Sequence, residues 1–276
     1  MSVPTNHQLL YTASGDPANP PLIMIHGWLS HRGVWRTTVP ALQDRFHCIA
    51  VDLLGFGDNE KPKDGDYRIV TQAQRIVSLA DELGFQKFNL IGHSMGGQIA
   101  IHVAALTAPE RVERLVSVGG AVTGRLAPRV ENFIGPLSRL GPRFPALYDL
   151  MGGWSEKYRW YANFIFRSWF YDMNFEPFES WKIDRRMASQ RSMMHSVPKA
   201  YDSLTTTDLT DYLARVQART LVLSGKQDGT VPVVQAHLMA ERIMGAQLIL
   251  YDDCGHFLMF EKTDAYLAAL NTFFAQ

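Results

Sequence analysis

The 276-residue sequence is short of several things, and each shortage removes a class of explanation. It has two cysteines, Cys48 in an apolar run and Cys254 beside a histidine. That spacing makes neither a disulfide framework nor a metal cluster, so reduced thiols are expected. Charge of either sign is not in excess. The 27 Lys plus Arg balance the 27 Asp plus Glu, and nothing in that balance points to nucleic acid, an anionic membrane or a strongly charged substrate. No apolar run reaches the length of a membrane span, and residues 1–10 lack the basic patch and apolar stretch of a secretion signal. A cytoplasmic protein without membrane insertion is the expectation. Internal repeats and low-complexity segments are missing, and no set of histidines and carboxylates has metal-ligand spacing. Neither a metal nor a cofactor is therefore expected.

What is present is an alternation of short apolar runs with helical patterns. Residues 7–13 read as an opening strand. Leu22-Ile23-Met24-Ile25 and Cys48-Ile49-Ala50-Val51 are continuous apolar runs of strand length, as strands covered on both faces require. Residues 34–44 and 69–83 carry helical patterns, the second stopped by Gly84. Residues 87–91 and 114–118 read as further strands, with a helix over 98–106 between them. After residue 198 the pattern resumes: helix over 199–216, strand over 218–223, helix over 233–244, strand over 247–251 and a final helix over 262–274. The alternation predicts an α/β architecture with an open, mostly parallel, doubly wound sheet.

From about residue 124 to 198 the character changes. Pro128, Pro136, Pro142 and Pro145 cut the chain into short pieces, and aromatics crowd together: Trp154, Tyr158, Trp160, Tyr161, Phe164, Phe166, Trp169, Phe170, Tyr171, Phe175, Phe178 and Trp181. Residues 124–198 are read as a helical cap inserted into a core made of 1–123 and 199–276. Most of these aromatics are expected to form the cap's own core and its seat on the sheet domain, with a minority facing an apolar pocket.

The chemistry is concentrated at strand ends. Gly92-His93-Ser94-Met95-Gly96-Gly97 follows a strand and opens a helix. A serine hydroxyl is a poor nucleophile unless it is exposed on a sharp turn beside a base and oxyanion donors, and the flanking glycines permit such a turn. Asp228 follows a second strand, His256 a third, and Gly27-Trp28 the earliest of the four. Ligands of open α/β sheets bind at the carboxyl ends of the strands, where all four groups converge. His26 and His93 are read as loop-orienting residues, His195 as a satisfied or exposed side chain, and Cys254 as a packing residue.

The chain resembles α/β-hydrolase-fold proteins over almost its whole length. The likeness is carried by His26-Gly27-Trp28, Asp52-Leu53-Leu54-Gly55-Phe56-Gly57, the Ser94 motif, Gly225-Lys226-Gln227-Asp228 and Gly255-His256-Phe257, in the chain order Ser, Asp, His. It is most similar to small carboxylesterases and the cofactor-free haloperoxidase or perhydrolase group, with meta-cleavage-product hydrolases close behind. The resemblance implies Ser94 as nucleophile, His256 as base and Asp228 as its acid partner. It also implies an oxyanion hole from the backbone N–H groups of Trp28 and Met95. No acid follows the strand at 114–118, and Asp252 and Asp253 lie too near His256 along the chain.

Ester hydrolysis of an apolar short- to medium-chain acyl or aryl ester, through an acyl-enzyme, is the expected activity. Carbon-carbon bond hydrolysis of meta-cleavage products is the alternative, lowered by Trp28, which stands where those enzymes have a more Gly-rich loop. A perhydrolase or lactonase side activity and a catalytically weak small-molecule receptor are the others. Perhydrolase-type relatives often carry Pro where this chain has Leu29, which favours hydrolysis. A small-molecule ester is the expected partner, and homo-oligomerisation is left open.

Overall fold

The computed structural model describes residues 8–172 and 191–275. One sheet contains β1 (Leu10–Ser14), β2 (Pro21–Ile25), β3 (His47–Asp52), β4 (Phe88–His93), β5 (Val112–Val118), β6 (Arg219–Gly225) and β7 (Gln247–Tyr251). Their order is β1-β3-β2-β4-β5-β6-β7, and every pairing is parallel except β1 on β3. The chain leaves β2 toward one edge and β4 toward the other, so the crevice between their carboxyl ends is the topological switch point.

The apolar runs are continuous because both faces are covered. Ile23, Ile25, Ile49, Val51 and Leu90 enter one core, while Leu22, Met24, Cys48, Ala50 and Ile91 enter the other. Among the described residues the helices are α1 (Thr38–Leu42), α2 (Ile69–Glu82), α3 (Met95–His102), α4 (Gly135–Ser138), α5 (Pro145–Lys157), α6 (Arg159–Phe166), α7 (Ser196–Thr206), α8 (Val234–Arg242), α9 (Leu258–Glu261) and α10 (Thr263–Ala275). In α2 a stripe of Ile69, Ala73, Ile76 and Ala80 packs on the first core, and in α10 Tyr266, Leu270 and Phe273 pack on the second. Each fully buried large side chain contributes about 1.5–3 kcal/mol of transfer free energy.

Three helices differ from the sequence reading. The helix read over 34–44 is a 3-10 turn, Arg32–Trp35, followed by α1, because the Pro40 ring would strike the Arg36 carbonyl in a continuous helix. The helix read over 98–106 starts at Met95 and widens into a π-helical turn over Val103–Thr107. The segment read as 199–216 begins earlier, at Ser196, and breaks after Thr206 into a 3-10 turn at Thr210–Arg215. Its Ser203 hydroxyl caps α2 by accepting the Ile69 N–H at 2.9 Å.

Between β5 and β6 the described residues form α4 to α7 and no strand. The expectation that most aromatics here form a core fails over those residues. Phe166, Trp169 and Phe170 are buried, Tyr161 is half-buried, and Trp154, Tyr158, Trp160, Phe164 and Tyr171 are exposed. The physical reason is that α5 and α6 form a thin layer with apolar side chains on both sides. Phe175, Phe178 and Trp181 lie outside the described residues.

Candidate active site

β4 ends at His93, and Ser94 then adopts φ 56° and ψ −119°, in the left-handed half of backbone space. A non-glycine residue there costs of order 1–3 kcal/mol, so the surroundings must hold it. They do so through its main chain. Its N–H donates to the Val118 carbonyl (3.0 Å), and its carbonyl accepts from Gly97 (2.9 Å), Gln98 (3.2 Å) and Ala121 (3.2 Å). The turn is tight enough that a Cβ on Gly92 would strike the Gly96 carbonyl, and one on Gly96 would strike the carbonyls of Ile25 and His26.

Asp228 and His256 come from the loops after β6 and β7. The His256 Nδ1–H donates to Asp228 Oδ2 at 2.7 Å, with side-chain exposures of 3% and 0%. The other carboxylate oxygen, Oδ1, accepts the N–H groups of Thr230 (2.8 Å) and Val231 (2.9 Å). This leaves Nε2 of His256 on the side of the ring turned away from Asp228. Room for the pair is made by Gly119, at φ 52°, where a Cβ would sit 3.2 Å from His256 Nδ1 and 3.4 Å from Asp228 Oδ2. The two loops are tied together, since the Gln227 N–H donates to the Cys254 carbonyl (3.1 Å) and the Cys254 N–H donates to Gln227 Oε1 (3.2 Å).

His26 and His93 are neutral supports. His26 Nδ1–H donates to the Gly27 carbonyl (2.7 Å), and its Nε2 accepts the Leu53 N–H (3.1 Å), which pins the Gly27-Trp28 loop to the end of β3. Burial lowers its pKa to about 4. His93 Nε2–H donates to the His256 carbonyl (3.1 Å), with ring centroids 4.6 Å apart. Burial, followed by the nearby His256, holds His93 well below the ordinary histidine range, so it does not compete as a base.

Ser94, His93, His256, Trp28, Trp169 and Thr230 line a common, nearly filled chamber of about 10 Å³, completed by Leu126, Val130, Leu204 and Phe257. Trp28 also lines a second chamber of about 90 Å³ beneath α5 and α6, together with Leu29, Ile134, Leu137, Tyr148, Met151, Tyr161, Ile165 and Phe166 among others. No Lys, Arg, Asp or Glu is among the described residues lining either chamber. The Trp28 Nε1–H is tethered to the Val197 carbonyl (2.9 Å), and its ring leans on Tyr201 at 5.3 Å. Met95 opens α3, where the first N–H groups have no intrahelical acceptor.

Sequence reasoning missed Glu261. Its carboxylate accepts the N–H of Gly255 (2.9 Å) and of Tyr171 (2.8 Å), joining the histidine loop to the end of the helical segment. Burial raises its pKa to about 7, despite those N–H groups. The same contact line includes the N–H groups of His256 and Phe257, both donating to the Trp169 carbonyl (2.9 and 3.3 Å), and the Thr230 hydroxyl on the Ser168 carbonyl (3.0 Å). The only hint in the sequence is an acid five residues after His256, close enough to fold back on the loop.

Both cysteines are buried free thiols, with burial raising their pKa values. Among the described residues, no three of His, Cys, Asp and Glu stand together as a metal site would need.

The profile of the family described as alpha/beta hydrolase fold matches residues 20–263. A 2-hydroxymuconate semialdehyde hydrolase of Pseudomonas sp. (strain CF600) is 31% identical over 268 residues, covering 93% of this chain and 87% of the relative. A monoacylglycerol lipase of Xenopus laevis is 26% identical over 267 residues, covering 93% of this chain and 76% of the relative. Among solved structures, the enol-lactonase from Burkholderia xenovorans LB400 superposes with a TM-score of 0.80 at 22% identity, covering 99% of this chain and 98% of that one. The last likeness speaks to the fold alone.

Proposed function

The chain belongs to the alpha/beta hydrolase fold family, and from that membership we propose that it is a serine carboxylesterase for uncharged apolar esters, with the helices between β5 and β6 as a cap. In this reading Ser94 Oγ attacks the ester carbonyl while His256 Nε2 takes the hydroxyl proton. The imidazolium so formed is stabilised by Asp228 through the Nδ1–H bond. The backbone N–H groups of Trp28 and Met95 bind the oxyanion, and loss of one such donor typically costs on the order of 10²- to 10³-fold. Collapse expels the alcohol, protonated by His256, and leaves an acyl-Ser94. Water, deprotonated by the same Nε2, then releases the acid.

The observation that carries this reading is the absence of charge from the described lining of both chambers. A muconate- or dienoate-type substrate brings a carboxylate, and an unpaired carboxylate in an apolar chamber is disfavoured by several kcal/mol. A neutral ester meets no such penalty. The identity to a 2-hydroxymuconate semialdehyde hydrolase keeps carbon-carbon hydrolysis as the second reading. Perhydrolysis is weakened at Leu29, whose φ of 55° a proline cannot adopt.

The deciding experiment compares kcat/KM for a neutral aryl butyrate with that for a vinylogous 1,5-diketone acid. The ester reading predicts preference for the butyrate, and preference for the diketone acid would replace it with the carbon-carbon reading.

A further inference from the structure

The chain is neutral and α5 and α6 cover a chamber, yet these helices are apolar on a second face as well. On α5, Tyr148, Met151 and Ser155 face the chamber. Leu147, Leu150 and Trp154, spaced i, i+3, i+7, stand outward at 43%, 48% and 40% exposure. On α6, Tyr161 and Ile165 face inward, while Trp160 (64%) and Phe164 (49%) stand outward. A helix that only roofs a chamber needs one apolar stripe, with polar residues on the other side. The clustering is regional too. Of the fifteen large apolar side chains exposed among the described residues, ten fall between Phe133 and Tyr171.

Charge is also uneven. Residues 125–172 hold seven Lys or Arg (125, 129, 139, 143, 157, 159, 167) against four Asp or Glu (131, 149, 156, 172), although the whole chain has 27 of each. Arg143, Lys157, Arg159 and Arg167 are exposed, and Arg129 rides over the rings of Phe133 (5.6 Å) and Phe164 (5.1 Å). On α5 the acids Asp149 and Glu156 are half-buried.

We propose that the outward face of α5 and α6 docks the protein on an anionic lipid surface, with Leu150, Trp154, Trp160 and Phe164 entering the headgroup boundary and the surrounding Arg and Lys pairing with lipid anions. Trp and Tyr favour such boundaries because one ring offers apolar area and a polar edge. A two-fold pair of this chain is the rival occupant. It would set the basic rim of one copy against that of the other, whereas anionic headgroups complement it. No described helix is long and apolar enough to cross a membrane, so the contact is with the surface. It rests on this face alone and not on the ester reading.

The test is co-sedimentation of the full chain with vesicles of phosphatidylcholine and with vesicles of phosphatidylcholine and phosphatidylglycerol in equal parts. Binding should appear with the anionic vesicles and weaken with salt. Arg143→Gln with Lys157→Gln should lower the partition coefficient about fivefold per cation. Trp160→Ser with Phe164→Ser should lower it about tenfold or more. Both double variants should hydrolyse a water-soluble acetate ester like wild type; if that activity is absent in wild type, circular dichroism replaces it as the check on folding. Absence of binding, or binding indifferent to Trp160→Ser with Phe164→Ser, overturns the proposal. So does a lipid-free dimer in sedimentation velocity that this variant dissociates, which would assign the face to a second copy.

Discussion

Asp228→Asn isolates the tautomer of His256 more cleanly than any other substitution. Asp228 Oδ1 accepts two main-chain N–H groups, from Thr230 (2.8 Å) and Val231 (2.9 Å), while Oδ2 accepts the His256 Nδ1–H (2.7 Å). An asparagine has one acceptor oxygen and one NH2 group. The two fixed N–H donors claim the oxygen, so the NH2 group must face Nδ1. Nδ1 then becomes an acceptor, the proton moves to Nε2, and the nitrogen that should take the Ser94 proton is blocked. The expected loss in kcat is about 10⁴-fold, about 5 kcal/mol of transition-state stabilisation, as for the wrong tautomer in a serine hydrolase. The fold should be little disturbed, because all three hydrogen bonds keep a donor and an acceptor. The assay is stopped-flow hydrolysis of p-nitrophenyl butyrate, with urea unfolding beside it. A loss below about tenfold, or 1.4 kcal/mol, with Asn in place would refute the reasoning that Asp228 sets the base.

Trp28→Ala removes the side chain that lines both chambers and is expected to partition them. It should cost about 3 kcal/mol of stability and move the preferred acyl length upward, read as kcat/KM across a series of p-nitrophenyl esters, with an unchanged profile counting against the partition. Gly96→Ala would push a Cβ into the main-chain oxygens of Ile25 and His26, which cannot swing aside. A loss of about 2–4 kcal/mol is expected in urea unfolding, and a neutral result would mean that the elbow relaxes. Glu261 holds its proton more tightly when folded, with a pKa of about 7 against an ordinary 4.5. Its contribution is therefore complete below the ordinary value and is lost as pH rises through about 7, by at most about 3 kcal/mol. Glu261→Gln should remove that slope, so the wild-type minus variant stability should fall between about pH 5 and pH 7, and a constant difference would contradict it.

The parts of the fold legible in the sequence are those where one short stretch decides the outcome. Leu22-Ile23-Met24-Ile25 had to be covered on both faces, and Gly92 and Gly96 had to flank a turn too tight for any side chain. The placement of Ser94, Asp228 and His256 at strand ends was readable because each follows its own strand, and parallel strands deliver their ends to one side. What was not readable depends on contacts between distant main-chain groups. The bonds from His256 and Phe257 to the Trp169 carbonyl involve no particular side chain at position 169. Glu261 is an ordinary helical acid until Tyr171 arrives from 90 residues away. The aromatic-rich segment misled for a related reason: composition shows how much apolar surface a helix carries, but not whether one or both of its faces are covered.

An acyl group is expected to reside on Ser94 during turnover. Wild type and Ser94→Ala should be mixed with p-nitrophenyl butyrate, quenched in acid during the steady state and measured by intact-protein and peptide mass spectrometry. The account predicts one butyryl increment on the peptide carrying Ser94 in wild type, and neither increment nor turnover in Ser94→Ala. Turnover by wild type without an acylated Ser94 peptide, together with undiminished turnover by Ser94→Ala, would contradict it.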